Sequence, residues 1–312
     1  MVRRTPAVAA LVLLVSAVGV GGCLQGPRHR ARATAKPTTT SASPSGPATD
    51  AWGNVALTPT PAGADPSSSS APETTATAAP TDAADLGAGP DKTISTADGD
   101  LVYSSGSTPA ITYGAMDGAT CEKALKARKI PYVRVTNPTQ GVADPMRITG
   151  KIHGVDFHGL GLGPKATSLY EIVDCRLLLA LDDFAAVLEK HDVVEAIHMS
   201  IYRAAKTKPK PGQKPKSQHE AALAMDLGTL VKKDGTKLVV LDDWHGFIGQ
   251  PTCGPKTGPT KVTKQSTELR AIMCEQFDKK LFNVNLTPNY NKPHVNHFHL
   301  EVTRGVKWFI LH

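Results

Sequence analysis

Histidines are concentrated near the C-terminus, where residues 293–299 read Pro-His-Val-Asn-His-Phe-His and hold three of the chain's eleven histidines. In an extended strand successive side chains alternate between two faces, so His297 and His299 would project together. Phe298 and Leu300 would then face the core. Because imidazole nitrogens are common ligands of zinc, the spacing predicts part of a metal site.

A second candidate segment lies upstream, where His219 is followed by Asp226 in an apolar, strand-like run. A single histidine is usually an ordinary surface or core residue, and an isolated His-x-His pair seldom binds metal. Two histidines and one aspartate that converge from these two segments offer three protein ligands to zinc and leave a fourth position for water. That arrangement is typical of a catalytic zinc site, since structural sites use four protein ligands.

The order of these residues resembles that of a known enzyme superfamily. The pattern Ser217-x-His219-x-x-Ala222-x-Ala224-x-Asp226, followed by His294-x-x-His297-x-His299, is similar to the D-alanyl-D-alanine metallopeptidase superfamily. This superfamily includes lysostaphin-type and penicillin-insensitive murein endopeptidases and the hedgehog signalling domain. Over residues 118–303 the chain most resembles bacterial extensin-like C-terminal domains, which share Tyr202-Arg203, Cys253, Cys274 and the His297-Phe298-His299 ending. The family pattern has glycine at Ala222, a difference that indicates a tighter or altered site.

The resemblance implies a role for each matching residue. The zinc ligands are expected to be His219, Asp226 and His299. His297 takes the position of the residue that handles the proton of the attacking water, and imidazole suits that role because its pKa lies near neutral pH. Arg203 takes the position of an arginine that holds a substrate carboxylate or carbonyl oxygen. Ser217 is expected beside the ligands, and His294 is either beside them or an ordinary loop residue.

The N-terminus has the features of an export signal. Arg3 and Arg4 precede an apolar run over residues 7–20, which ends in Gly-Gly before Cys23. Residues 1–22 therefore form a predicted signal peptide, whose apolar run is too short for a transmembrane helix. Because the run ends on cysteine it resembles a bacterial lipoprotein signal, which implies that Cys23 is lipidated; the alternative is an ordinary secretory signal. We expect an exported protein, lipid-anchored in the bacterial envelope, at the outer membrane and periplasm if there are two membranes.

The remaining chain divides by composition into two parts. Residues 23–113 are dominated by Ala, Thr, Pro, Ser and Gly and lack the apolar residues needed for a core, so they predict a disordered tether. Residues 114–312 suffice for one domain. Helices are predicted over residues 174–190 and 266–282, and strands over 193–203, 223–230, 237–242 and 296–303. These elements predict an α+β domain with a mainly antiparallel sheet and packed helices, and the resemblance implies a zinc-peptidase-like fold.

Apart from Cys23 the chain has four cysteines, an even number that suits an oxidising compartment. Four cysteines allow three pairings. We favour Cys121–Cys175 and Cys253–Cys274, because each joins neighbouring segments and leaves the histidines and aspartate for metal. Four reduced core thiols and a cysteine zinc site are the alternatives, although no Cys-x-x-Cys spacing is present.

The formal net charge of +7 suits an anionic setting such as a cell wall or a phospholipid surface. Export and the absence of aromatic residues among the lysines of residues 206–216 argue against nucleic acid as a partner. Joined to the export signal, the resemblance of the site motif implies a zinc-dependent peptidase that hydrolyses peptidoglycan peptides, as a D,D-carboxypeptidase or a murein endopeptidase. The alternative function is a non-catalytic, zinc-containing module that binds the cell wall.

Overall fold

The computed structural model of the protein describes residues 91–96, 99–162, 168–207, 210, 213–255 and 257–312. The predicted signal peptide, the predicted lipidation site Cys23 and most of the predicted tether lie outside these residues. Within the described part of the chain, no helix is long and apolar enough to cross a bilayer.

The strands of the described residues form two sheets. In chain order they are β1 Lys92–Thr96, β2 Gly99–Tyr103, β3 Tyr132–Arg134, β4 Pro145–Ile148, β5 Asp156–Gly159, β6 Val173–Asp174, β7 Val193–Ser200, β8 Ala224–Lys232, β9 Lys237–Val239, β10 Val284–Leu286, β11 Phe298–Glu301 and β12 Trp308–Leu311. The large sheet has the order β1-β2-β12-β10-β11-β8-β7-β5, with β9 paired to the second half of β8. Its strands are antiparallel except at β10–β12 and β5–β7. The small sheet is β3-β4-β6.

The helices pack around one strongly apolar helix. In chain order they are α1 Pro109–Ala115, α2 Gly118–Ala127, α3 Cys175–Lys190, α4 Val240–Asp243 and α5 Lys264–Asp278, with short 3-10 helices at Leu169–Glu171 and Lys292–His294. Helix α3 begins where the Asp174 side chain accepts a hydrogen bond from the backbone N–H of Arg176. It contacts α1, α2, α5 and β7. Phe184 on α3 meets Phe282 edge to face, which joins the helix to the segment before β10.

This architecture confirms the predicted mixture of helices with a mostly antiparallel sheet. The predicted helix 174–190 corresponds to α3 and the predicted helix 266–282 to α5, which begins and ends somewhat earlier. The prediction of a strand over 237–242 was wrong in its second half. The Asp243 carboxylate accepts a hydrogen bond from the backbone N–H of Val239, and the chain turns there into α4.

The ordered elements begin before the predicted boundary between tether and domain at residues 113 and 114. Strands β1 and β2 form a hairpin, and β2 joins the large sheet by pairing with β12. Helix α1 follows within the same stretch and contacts α3. Local sequence indicates at most a short strand within residues 101–113, and β2 ends in that range at Tyr103. It does not indicate the hairpin, because the place of the hairpin in the sheet depends on a partner strand near the C-terminus.

Both favoured disulfides are present. Cys121–Cys175 ties α2 to the start of α3, and both residues are fully buried. Cys253–Cys274 ties the segment after α4 to α5. The pairing leaves the histidine and aspartate side chains separate from the cysteines, and disulfides of this kind are typical of exported proteins.

Replacing Cys121 and Cys175 together by alanine is expected to lower the free energy of unfolding by about 4 kcal/mol. The bridge closes a 54-residue span, and the chain entropy released on opening a loop of that length gives this magnitude. The 21-residue span between Cys253 and Cys274 gives about 3 kcal/mol for the matching double variant. Urea unfolding of both variants measures the difference, and a loss below about 1 kcal/mol for the first would contradict the expectation.

Candidate metal centre

The centre is built on a row of residues that face one another across three neighbouring strands. Asp226 on β8 lies opposite His299 on β11 and opposite Ser200 on β7. Directly opposed residues of antiparallel strands have side chains close enough to interact. Phe298 and Leu300 are fully buried in the core, as predicted, so the intervening His299 projects from the other face.

The third ligand position comes from the turn between β7 and β8. The backbone N–H of Ala222 donates to the carbonyl of His219, which closes a tight turn and brings His219 beside Asp226. Ala222 has a φ of 54°, in the left-handed region that glycine adopts without steric cost. This backbone conformation explains the glycine of the family pattern at this position. The methyl group of Ala222 lies in the hydrophobic core, which gives no sign of the altered site that the substitution had suggested.

The three predicted ligands meet with one atom each. Asp226 Oδ1 lies 3.1 Å from His219 Nε2 and 3.1 Å from His299 Nδ1, and the two nitrogens are 3.3 Å apart. Four ligand atoms placed tetrahedrally about 2.0–2.1 Å from a zinc ion lie roughly 3.3 Å from one another. The spacing in the structure therefore fits three corners of a zinc site. No other described group of three or more His, Cys, Asp or Glu residues has such a spacing.

Hydrogen bonds on the far side of each histidine ring support the same interpretation. His219 Nδ1 lies 2.8 Å from the carbonyl oxygen of Ile201, and His299 Nε2 lies 3.1 Å from Oε2 of Glu301. Both oxygens can only accept, so the hydrogens sit on these outer nitrogens, and His219 Nε2 and His299 Nδ1 are left to face Asp226. Nitrogen and oxygen atoms this close repel one another unless a cation lies among them, either a proton carried by one ring nitrogen or a metal ion. The residues thus fit a bound zinc ion, whose histidine ligands commonly donate their second N–H in this way.

The other oxygen of Asp226 is held by two further side chains. The Ser200 hydroxyl donates to Oδ2 at 3.2 Å, and the Arg203 guanidinium donates to the same oxygen. Asp226 therefore presents Oδ1 alone to the histidines. The motif resemblance implied that Arg203 contacts substrate, whereas here it contacts a ligand residue. Because 41 % of its side chain is exposed, Arg203 also retains surface that a substrate can reach.

The charges of the centre depend on these contacts. Burial by itself raises the pKa of Asp226, but hydrogen bonds from His219 and His299 outweigh burial and hold the pKa well below its usual range. Burial lowers the pKa of His299, but its bonds to Asp226 and Glu301 outweigh burial and raise the pKa to about 9. The structure therefore stabilises a positive charge between two carboxylates. A metal ion that binds here displaces a proton from His299, so metal affinity falls in acid.

Two further histidines border the three ligands. His297 Nε2 lies 3.4 Å from Asp226 Oδ1, while its Nδ1 lies 2.8 Å from the side-chain oxygen of Asn296. His294 packs against the rings of His297 and His299, and its Nδ1 lies 2.6 Å from Asn291 Oδ1. Burial lowers the pKa of both rings, for His294 to about 4, which favours their neutral form. His294 thus adjoins the centre.

Ser217 has a supporting place in the structure, since its hydroxyl accepts a hydrogen bond from the backbone N–H of Glu220 in the turn that carries His219. Three side chains that matter to the centre were not identified from sequence: Ser200, Glu301 and Asn296. Glu301 could have been identified from sequence, because it follows His299 by two positions in a predicted strand and so lies on the same face. Ser200 could not have been identified in this way, since its position opposite Asp226 depends on strand register.

Comparison with protein-family models gives one match for the chain. Residues 119–310 match the family described as extensin-like protein C-terminus. Neither the curated proteins nor the solved structures contain a match. The matched region covers more than half of the chain and includes the three predicted ligand residues, His297 and Arg203. The chain therefore belongs to the family of extensin-like C-terminal domains.

Proposed function

We propose that the protein is an exported, zinc-dependent peptidase that hydrolyses peptide bonds of peptidoglycan, as a D,D-carboxypeptidase or a murein endopeptidase. The observation that carries the proposal is the convergence of His219, Asp226 and His299, each oriented by a hydrogen-bonded partner. Three protein ligands leave a coordination position for water or substrate, which distinguishes catalytic from structural zinc sites. The substrate class rests on the resemblance of the motif to that of murein-cleaving metallopeptidases.

In this proposal zinc supplies Lewis acidity, which makes water nucleophilic near neutral pH and polarises a scissile carbonyl. His297 accepts the proton of the attacking water at Nε2. Its Nδ1 hydrogen is engaged by Asn296, so Nε2 carries the lone pair, and burial favours the neutral ring. Arg203 acts in two ways, because it fixes Asp226 through Oδ2 while its exposed portion binds a carboxylate or carbonyl oxygen of the substrate.

The location of the protein is part of the proposal. Two disulfides favour an oxidising compartment, and the signal-like N-terminus with Cys23 favours a lipid-anchored protein of the bacterial envelope. A zinc-peptidase-like fold, as in the D-alanyl-D-alanine metallopeptidases, agrees with the mostly antiparallel sheet that carries Asp226 and His299.

Digestion of muropeptides by the purified protein tests the proposal. Zinc-loaded protein is expected to release D-alanine or to cleave cross-linked dimers, and chelation is expected to stop the reaction. If folded, zinc-loaded protein leaves every muropeptide unchanged, hydrolase activity is excluded. Sedimentation with insoluble peptidoglycan under those conditions would instead favour the non-catalytic wall-binding module.

A further inference from the structure

Glu301 lies behind His299, on the side of the ring that faces away from the other ligands. Its Oε2 is 3.1 Å from His299 Nε2, and its Oε1 accepts a hydrogen bond from the Thr303 hydroxyl at 2.6 Å. His299 and Glu301 alternate with core residues on β11 and therefore share a face. The three side chains form a continuous chain of contacts that ends at the metal-facing Nδ1 of His299.

We propose that Glu301 is a positioning residue of the metal centre, which holds the His299 ring so that Nδ1 faces His219 and Asp226. The inference rests on the proposed zinc site and adds a residue that the three-ligand set does not contain. A half-turn of an imidazole ring about its bond to Cβ puts Cδ2 where Nδ1 was and Cε1 where Nε2 was, so only one of the two orientations presents a nitrogen to the metal. A carboxylate that accepts the Nε2 hydrogen favours one of these two orientations and makes Nδ1 a stronger donor to metal.

The surroundings of Glu301 suit a fixed orientation. The side chains of His299 and Glu301 are only 12 % and 15 % exposed, so water competes little for their hydrogen bond. Thr303 is itself fixed, because its backbone N–H donates to the side chain of Asn283 at 3.0 Å. The Glu301 carboxylate is therefore bound at both oxygens, one to the metal-ligating histidine and one to an anchored hydroxyl.

The experiment measures zinc affinity of the full chain by competition with a chromogenic chelator. Glu301→Ala is expected to weaken zinc binding by about 10- to 100-fold, the usual effect of removing a partner of a metal-ligating histidine. Glu301→Gln is expected to recover most of the affinity, because its side-chain carbonyl still accepts the Nε2 hydrogen. Glu195→Ala is the matched control: it removes a carboxylate 3.5 Å from His158 Nε2, outside the metal centre, and is expected to bind zinc as wild type does.

Each outcome decides a separate question. Wild-type affinity in Glu301→Ala would overturn the positioning role and leave the zinc site standing. Absence of zinc binding in the wild-type protein would overturn the proposed function and the inference built on it. Should Glu301→Ala fail to fold by circular dichroism, Thr303→Val replaces it, since loss of the hydroxyl releases the carboxylate and is expected to weaken zinc in the same direction. Unchanged affinity in that variant would also overturn the proposal.

Discussion

Replacing His219 and His299 together by alanine is expected to abolish zinc binding. The wild-type chain should hold one zinc ion after dialysis, whereas the double variant keeps Asp226 as its one predicted ligand. A single carboxylate cannot hold zinc against dialysis, because tight sites need three or four protein ligands. Metal analysis of the dialysed proteins measures the stoichiometry, and muropeptide hydrolysis should disappear with the metal.

His153→Ala is a suitable control for this experiment. His153 is 41 % exposed and pairs with Asp182, away from the ligands, so its loss removes an imidazole without touching the centre. The control should retain one zinc ion per chain. If the double variant also retained one zinc ion, the ion would be bound elsewhere and the ligand assignment would be wrong.

Replacing His297 by alanine is expected to separate catalysis from metal binding. The three ligands remain, so zinc stoichiometry should stay at one per chain. Loss of a positioned proton acceptor typically lowers a rate by about 10²- to 10⁴-fold, and kcat for muropeptide hydrolysis should fall within that range. Steady-state kinetics at saturating zinc, with the metal content measured on the same samples, give both quantities.

A second substitution in the same segment tests whether such a loss is local. Val295 is 40 % exposed and lies two residues from His297, so Val295→Ala is expected to keep the wild-type kcat. Equal kcat values for wild type and His297→Ala would remove His297 from the mechanism. Zinc-loaded wild-type protein that binds peptidoglycan but turns over none of it would favour the wall-binding module.

The convergence of His219, Asp226 and His299 could be predicted because the chemistry of these residues is visible in their type and spacing. Strand alternation placed His297 and His299 on one side of the chain, and the motif resemblance added His219 and Asp226. The alignment of Asp226 with His299 was not predictable in the same way. It is set by the register of β8 against β11, which depends on packing between segments 73 residues apart.

The contacts around the predicted ligands were harder to predict from sequence than the ligands themselves. Ser200 and Arg203 both reach Oδ2 of Asp226 only because β7 lies beside β8 in the sheet. The partner of His219 is a backbone carbonyl, that of Ile201, and any residue type provides such a group. Composition likewise could not indicate the β1–β2 hairpin, since its stabilising neighbour β12 is at the opposite end of the chain. Local sequence predicts helices and ligand types better than it predicts such long-range pairing.

Strand β11 is inserted between β8 and β10, although it is nearly the last strand in the chain. A protein is synthesised from its N-terminus, so β7 and β8 exist while their neighbour is still missing. During that interval His219 and Asp226 lack His299, and the incomplete centre has too few ligands to hold zinc tightly. If zinc occupies the proposed centre, it can therefore bind tightly only after the C-terminal segment has been synthesised and has entered the sheet. A chain truncated before residue 298 would then lack the zinc as well as a central strand, and bound zinc would be a marker of molecules that have completed folding.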